Sequence, residues 1–137
     1  MNLELLKAEL LVDEGLRLKL YLCPAGKLTI GVGRNLDDRG ITEAEAMVLL
    51  DNDIALVEAG LDHALPWWQT LPDGPDRALA NMAFNVGVPR LRGFRRMLEA
   101  LRRGDYATAA EEAQNSRWAR QVGPRAQRII NLIQRRN

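Results

Sequence analysis

The sequence predicts an α+β fold, with a small N-terminal β-hairpin lobe joined by a long helix to a larger helical lobe. Strand-like alternation of leucines occurs in a single short stretch, whereas apolar residues elsewhere recur mainly at helical spacing. A length of 137 residues suits one domain. We therefore expect one domain over 1–137, with the hairpin lobe at about 15–41, the linking helix at about 42–63, and a helical lobe at about 64–137 that also includes helix 1.

A helical and a strand-like periodicity of leucines predict the first helix and the first strand. Leucines at 3, 6, 10 and 11 predict a helix over about 2–14, which Gly15 ends. Leucines at 16, 18, 20 and 22 alternate with Arg17, Lys19 and Tyr21, which predicts a half-buried strand. The hairpin is too small to be stable alone, so we expect it to pack on a helical neighbour.

The segment "CPAG" predicts a type I turn, since Pro24 takes its second position and Gly26 its fourth. "KLTIGVG" then predicts a second strand. In that strand Thr29, Gly31 and Gly33 share one face, which carries almost no side-chain bulk. Glycine in a strand often marks close approach by a ligand or by another backbone, although strand curvature is an alternative explanation.

The remaining chain predicts helices. Thr42 and Glu45 form a capping-box pattern at the start of the long helix, and the stretch "NLDDRG" before them predicts a loop. A break follows at "ALPWWQTLPDGP". Further helices are predicted from Pro75 to Gly87, over "FRRMLEALRRG", over "DYATAAEEAQNS" with Asp105 as N-cap, and over "GPRAQRIINLIQRR", with "VPRLRG" as a turn.

Charge is divided unevenly along the chain. Residues 1–88 carry seven Lys/Arg and 14 Asp/Glu, whereas residues 89–137 carry 12 Arg, no Lys and four Asp/Glu. The basic half predicts attraction to a polyanion, such as an anionic membrane or wall polymer, with solvated helix faces as the alternative. We expect no nucleic-acid partner, because no recognised motif or aromatic platform accompanies the arginines.

Targeting signals are also missing from the sequence as given. No apolar run approaches the roughly 18 residues needed to span a bilayer. The N-terminus "MNLELLKAELLVDEG" has neither a basic start nor a small-residue cleavage site. A single cysteine cannot form an internal disulfide, which fits a reducing compartment. We therefore expect the chain to be made and folded in the cytoplasm.

Glu14 is the first candidate for chemistry. It falls in the last turn of the predicted first helix, where unpaired carbonyl groups disfavour a carboxylate anion. Contact with an apolar hairpin would disfavour the anion further. A carboxyl group that keeps its proton can serve as a general acid, although a solvated helix-end glutamate is the commoner case. Asp13 points about 100° away around the helix and is the weaker candidate.

Thr29 and Cys23 are the other candidates near Glu14. A cysteine in a turn is more often a small buried apolar residue than a nucleophile. The residues needed for other kinds of catalysis are scarce. His63 is the sole histidine and hence the sole candidate base for a Ser/His/Asp or Cys/His catalytic site. No Cys/His cluster suits a metal, so we expect neither a metal nor a cofactor.

The segment "DEGLRLKLYLCPAGKLTIGVGRNL" resembles the active-site segment of phage lysozymes of the T-even type. Their pattern of Glu, eight residues, Asp, five residues and Thr is matched here by Glu14, Cys23 and Thr29. The resemblance continues through "RALANMAFNVG", where Asn85 stands in place of a glutamine, through "SRW", and through "PRAQRII". It spans nearly the whole chain, with two departures: Cys23 replaces the catalytic aspartate, and Arg34 stands where many relatives carry histidine.

This resemblance implies a lysozyme-like fold and a muramidase, which hydrolyses the β-1,4 bond between N-acetylmuramic acid and N-acetylglucosamine in peptidoglycan. Glu14 would protonate the leaving oxygen, and Thr29 would line the cleft near the attacking water. The matching positions Gly31, Asn85 and Arg117 would contact substrate. Enzymes of this type are generally inverting, which fits a wide gap between the catalytic groups.

Cys23 leaves three alternatives open. It could act as nucleophile or base, with its pKa lowered by Lys19, Lys27 or arginines. It could be a passive spacer in a lytic transglycosylase that uses Glu14 alone. The chain could also have lost catalysis and bind glycan only.

The implied partners follow from the same resemblance. The substrate is the peptidoglycan glycan strand, and the arginine-rich C-terminal half would attract an anionic outer-membrane or wall polymer. An enzyme made in the host cytoplasm would need a holin to reach periplasmic peptidoglycan and cause lysis. We expect a monomer.

Overall fold

The computed structural model describes residues 1–135 and shows the predicted α+β fold. The chain divides into two compact units, Met1–Val48 and Leu49–Asn137. The first unit contains a three-stranded antiparallel sheet of order β1-β2-β3. Its elements are α1 (Leu3–Glu14), β1 (Arg17–Leu22), β2 (Leu28–Gly31), β3 (Arg34–Asn35) and the start of α2 (Glu43–Ala64).

The first helix has about the predicted bounds, because hydrogen bonds form to the free backbone groups at both of its ends. The Asn2 side chain accepts a hydrogen bond from the Leu5 amide at 3.1 Å. At the other end Gly15 adopts φ +77° and donates its amide hydrogen to the Leu11 carbonyl at 3.0 Å. This stop places Glu14 as the last residue of α1.

The predicted turn after β1 is present. The Cys23 carbonyl accepts from the Gly26 amide at 2.8 Å, and the Cys23 amide donates to the Lys27 carbonyl at 3.0 Å. The predicted second strand is too long, however, because β2 ends at Gly31 and the chain then turns through Val32 and Gly33 into β3. Such a two-residue strand has no periodicity by which a sequence could reveal it.

The prediction of a half-buried first strand is wrong. Leu18 is 81% exposed, and the other leucines of the alternation, at 16, 20 and 22, are 57–66% exposed. Within Met1–Val48, all of which the structure describes, Thr29 alone is buried. The first unit therefore supplies no layer of buried apolar side chains against which the leucine face could pack.

The capping box at the start of α2 is confirmed. The Thr42 hydroxyl accepts from the Glu45 amide at 3.1 Å, and Glu45 Oε1 accepts from the Thr42 amide at 2.8 Å. Arg34 of β3 also donates to both oxygens of Glu45, at 2.9 and 2.6 Å. This bidentate pair lowers the pKa of Glu45 from its ordinary value of 4.5 to about 2, with the Thr42 amide adding to the effect.

The second unit is helical and contains the buried apolar core of the described chain. Its core residues run from Leu61 to Ile133 and include the fully buried Met82, Leu91 and Leu101. After α2 come a 3₁₀ turn (Trp68–Thr70) and six helices: α3 (Pro75–Val86), α4 (Val88–Leu91), α5 (Arg95–Arg102), α6 (Tyr106–Gln114), α7 (Arg117–Val122) and α8 (Pro124–Gln134).

Two short helices depart from the sequence predictions. The stretch predicted as the turn "VPRLRG" contains α4, and the sequence pattern does not predict α7. Both span six residues or fewer, too short to show an apolar period. The N-cap predicted at Asp105 is confirmed by its bond from the Thr108 amide at 3.1 Å. Arg136, the last residue of the predicted final helix, lies outside the described residues.

Within residues 1–135, no helix combines the length and the apolarity that crossing a bilayer requires.

We predict that replacing Glu45 with glutamine removes an acid-sensitive part of the stability. The pKa of Glu45 is depressed in the folded protein, so its contribution is complete above about pH 4.5 and is lost as pH falls towards about 2. Thermal unfolding of the parent and of Glu45→Gln should differ at about pH 6 and converge near pH 2. The control Glu43→Gln, in the same helical turn, should run parallel to the parent; a constant Glu45→Gln deficit across this range contradicts the prediction.

Candidate active site

Glu14 lies over the turn between β2 and β3. A Cβ atom placed on Gly33 would stand 2.9 Å from Glu14 Oε2, closer than real Cβ contacts, and 3.2 Å from Glu14 Cδ, which is also tight. Gly33 also has φ +71°, a conformation that favours glycine. Of the residues on the predicted side-chain-free face, Gly33 alone makes room for this carboxyl group, and it lies in the turn after β2 and not in the strand. Glu14 is exposed, and its carboxyl group lies close to the backbone of Gly33.

Cys23 is half-buried at the first position of its turn, and its surroundings favour the thiolate. Hydrogen bonding from the Lys27 backbone lowers the pKa of the Cys23 thiol most, with smaller contributions from the Ala25 backbone and the Thr29 hydroxyl. Partial desolvation opposes this lowering without cancelling it. The turn therefore presents a sulfur atom that ionises more easily than an ordinary cysteine.

The physical cause differs from the one that the sequence suggested. No cationic side chain contributes to the lowered pKa of Cys23. The Lys27 ammonium group instead forms an ion pair with Asp38 at 3.2 Å. It is the backbone of Lys27 that acts on the sulfur atom, and backbone groups leave no mark in the residue types of a sequence.

Thr29 is 3% exposed and lies beside Cys23. Its hydroxyl donates to the Lys27 carbonyl at 2.8 Å, and the Thr29 side chain contributes to the lowered pKa of Cys23. Thr29 thus links the state of the thiol to the start of β2.

Asn85 and Arg117, the other predicted substrate contacts, lie in the second unit. Asn85 Oδ1 accepts from Trp118 Nε1 at 2.9 Å, which leaves the amide hydrogens of Asn85 as its available donors. Trp118 is buried and meets Phe94 edge to face, with ring centroids 6.3 Å apart. Arg117, exposed and next in sequence to Trp118, lines a groove of about 640 Å³.

The first unit thus holds Glu14, Cys23, Thr29 and Gly31 on or near one sheet. Gly31 closes β2, where it pairs with Arg17 of β1. Sequence reasoning missed the approach of Glu14 to Gly33, although the glycines after Thr29 were the available signal. It also missed the backbone of Lys27. Across residues 1–135, no group of three His, Cys, Asp or Glu side chains could hold a metal ion.

We predict that the Cys23 thiol ionises below the pH at which free cysteine does, and that Thr29→Val raises its pKa by removing one stabilising hydrogen bond. The rate of alkylation by iodoacetamide as a function of pH measures this ionisation. Thr70→Val, in the second unit, is the matched control and should leave the profile unchanged. A Thr29→Val profile identical to that of the parent contradicts the assignment.

The comparisons with known proteins all point to one protein family. The family model for phage lysozyme matches residues 12–137. An endolysin from Acyrthosiphon pisum secondary endosymbiont phage 1 is 36% identical, over 90% of this chain and 84% of its own. The "Probable T4-type lysozyme 1" of Dictyostelium discoideum is 27% identical, over 94% of this chain and 93% of its own.

A third relative is much longer than this chain. The pre-baseplate central spike protein Gp5 of Enterobacteria phage T4 is 31% identical over 88% of this chain, which spans 26% of Gp5. The family model covers nearly the whole of this chain and includes Glu14, Cys23 and Thr29. On this evidence the chain belongs to the phage lysozyme family.

Proposed function

We propose that this chain is a peptidoglycan-degrading glycoside hydrolase that cleaves the β-1,4 bond between N-acetylmuramic acid and N-acetylglucosamine and so lyses the host cell. Membership of the phage lysozyme family supports the class of enzyme. The observation that carries the residue assignment is the close approach of the Glu14 carboxyl group to Gly33, in the unit that also holds Thr29 of β2 and Cys23 of the turn after β1.

Glu14 is the proposed general acid. It would donate its proton to the glycosidic oxygen as the bond from that oxygen to the anomeric carbon breaks, and the departing sugar would leave with a free 4-hydroxyl group. The lack of a side chain on Gly33 supports this role, because the Glu14 carboxyl group can then lie against the turn. An exposed carboxyl group is also open to a polymeric substrate.

Cys23 is the proposed second catalytic group, and it has two routes. As nucleophile, the thiolate would attack the anomeric carbon and form a thioglycoside; water, losing a proton to Glu14, would then displace the sulfur with overall retention. As base, the thiolate would take a proton from water that attacks the opposite face, with inversion. The hydrogen bonds from the turn backbone, which lower the pKa of Cys23, support either route.

The remaining assignments concern substrate contact and organisation. Thr29 would hold the catalytic water or the sulfur, while Gly31, Asn85 and Arg117 would contact the glycan. We propose that residues 1–137 act as one lysozyme-like domain and as a monomer. The relative named as an endolysin supports a lytic role. We propose that a holin releases the enzyme from the host cytoplasm to periplasmic peptidoglycan. The arginine-rich half would bind an anionic envelope polymer.

We predict that Glu14→Gln lowers lysis of chloroform-treated Gram-negative cells by about 10²–10⁴-fold, the usual contribution of a positioned acid. Glutamine keeps the size of the side chain, so the thermal midpoint should stay within a few degrees of the parent. Glu9→Gln, on the same helix, is the control and should retain full activity. Retention of activity by Glu14→Gln would sink the glycosidase assignment.

We predict that Cys23→Ser costs far more activity than Cys23→Asp, because aspartate supplies a negative charge at neutral pH whereas serine does not. Equal activity of both variants and the parent would make Cys23 a spacer. Mass spectrometry of the products tests the alternatives: reducing ends indicate a hydrolase, 1,6-anhydro ends a lytic transglycosylase, and intact glycan a binding domain. The anomer released first separates the nucleophile from the base.

We predict that Gly33→Ala reduces activity at least about tenfold, since the new methyl group must displace the Glu14 carboxyl group. Gly40→Ala is the matched control. Gly40 has φ +63°, so alanine there carries similar backbone strain of about 1–2 kcal/mol, yet nothing lies within 4 Å of its Cβ position. Similar losses of stability but a loss of activity in Gly33→Ala alone are expected; equal activities contradict the role of Gly33.

A further inference from the structure

The loop between β3 and α2 holds the start of β2 through a carboxylate. This loop includes the stretch "NLDDRG", which contains Asp37 and Asp38. Asp37 Oδ2 accepts a hydrogen bond from the Leu28 amide at 2.6 Å, a short bond of the charge-assisted kind. Leu28 is the first residue of β2 and directly follows the turn that begins at Cys23. The loop is therefore in contact with the end of that turn.

The Asp37 carboxylate takes the place of a backbone acceptor that is turned away from the sheet. The register of β2 and β3, continued by one residue, sets Leu28 opposite Leu36, and in such an antiparallel pair each amide donates to the opposite carbonyl. The Leu36 amide does donate to the Leu28 carbonyl at 2.8 Å, but the Leu36 carbonyl accepts from the Gly40 amide. Asp37 thus supplies the acceptor for the Leu28 amide.

The same peptide group closes the turn around Cys23. The Lys27 carbonyl accepts from the Cys23 amide at 3.0 Å and from the Thr29 hydroxyl at 2.8 Å. This carbonyl and the Leu28 amide belong to one planar peptide group and point in opposite directions. A carboxylate that fixes the amide therefore fixes the carbonyl as well, and it polarises the peptide group so that the carbonyl becomes a stronger acceptor.

Asp38, the neighbouring acid, has a different role. It pairs with the Lys27 ammonium group at 3.2 Å, but the two side chains are 60% and 43% exposed, so this pair holds the backbone only weakly. Its other partner is Asn35, which accepts from the Asp38 amide at 3.0 Å and donates to Asp38 Oδ2 at 2.9 Å. Asp38 therefore orders the loop, whereas Asp37 acts on the peptide group before β2.

We propose that Asp37 is a positioning residue for Cys23, and that its carboxylate holds the peptide group between Lys27 and Leu28 in the orientation that closes the turn around the sulfur atom. Asp37 acts through this peptide group and needs no contact with substrate. The inference rests on the proposed function only for its effect on lysis, because the arrangement of the turn does not depend on the reaction at Cys23.

Alkylation of Cys23 by iodoacetamide reads the sulfur atom directly, whether or not the chain cleaves glycan. Asp37→Ala should slow alkylation at neutral pH about threefold or more, the effect of weakened hydrogen bonds to the thiolate, and leave the rate at high pH unchanged. Asp37→Asn should stay within about twofold of the parent, because its amide oxygen still accepts from the Leu28 amide. Asp51→Ala, which removes an exposed carboxylate of α2, is the matched control and should react like the parent.

The sign of the effect separates positioning from charge, because loss of a nearby negative charge would favour the thiolate and speed alkylation. Faster alkylation of both Asp37 variants, an unchanged rate in Asp37→Ala, or equal slowing by alanine and asparagine would each overturn the proposal. Hydrogen exchange of the Leu28 amide in the parent is a second measurement that requires no variant. We expect a protected amide, and exchange at the rate of an unstructured peptide would overturn the proposal.

Lysis of chloroform-treated cells distinguishes this proposal from the proposed function. If Cys23 is catalytic, Asp37→Ala should slow lysis in proportion to the slowing of alkylation. Slower alkylation with unchanged lysis would support the positioning role of Asp37 and contradict the catalytic role of Cys23. Slower lysis with unchanged alkylation would instead overturn the positioning role.

Discussion

The carboxylate of Glu45 is the contact on which the first unit depends. It accepts two hydrogen bonds from Arg34 and one from the Thr42 amide, so it joins β3 to the start of α2. In Met1–Val48, which the structure describes throughout, Thr29 alone is buried, so burial of apolar surface contributes little there. A sheet of this size is not stable by itself, and polar contacts at its edges must hold it.

The hydrogen bonds between Arg34 and Glu45 also affect the position of Glu14, the candidate acid. Arg34 follows Gly33 in the chain, so fixing the Arg34 side chain also fixes the turn over which the Glu14 carboxyl group lies. The position of the acid therefore rests on glycine backbone held by an ion pair, and not on a packed core. The second unit differs, since its helices share a continuous apolar core and polar contacts such as Asn85–Trp118 only fix details within it.

Features encoded by a few neighbouring residues could be predicted from the sequence. The Thr42–Glu45 capping box, the turn that begins at Cys23 and the end of α1 at Gly15 each depend on hydrogen bonds within four residues. The exposure of β1 and the shortness of β2 could not be predicted, because both depend on which other parts of the chain pack against them. The glycines suggested a close approach by a ligand or a backbone, whereas the structure shows the Glu14 side chain near Gly33, in the turn after β2.

The proposed use of Cys23 in place of a catalytic aspartate is chemically coherent in this turn. Aspartate brings its charge at neutral pH, whereas a thiol is mostly protonated there and needs help to ionise. The hydrogen bonds that lower the pKa of Cys23 come from the backbone of the turn, at Lys27 and Ala25, and from the Thr29 side chain. Because that source is local, no arginine or lysine has to leave its other contacts to lower the pKa of Cys23. Lys27 can pair with Asp38 and Arg34 with Glu45, so the same short sheet is held together and presents an ionisable sulfur atom.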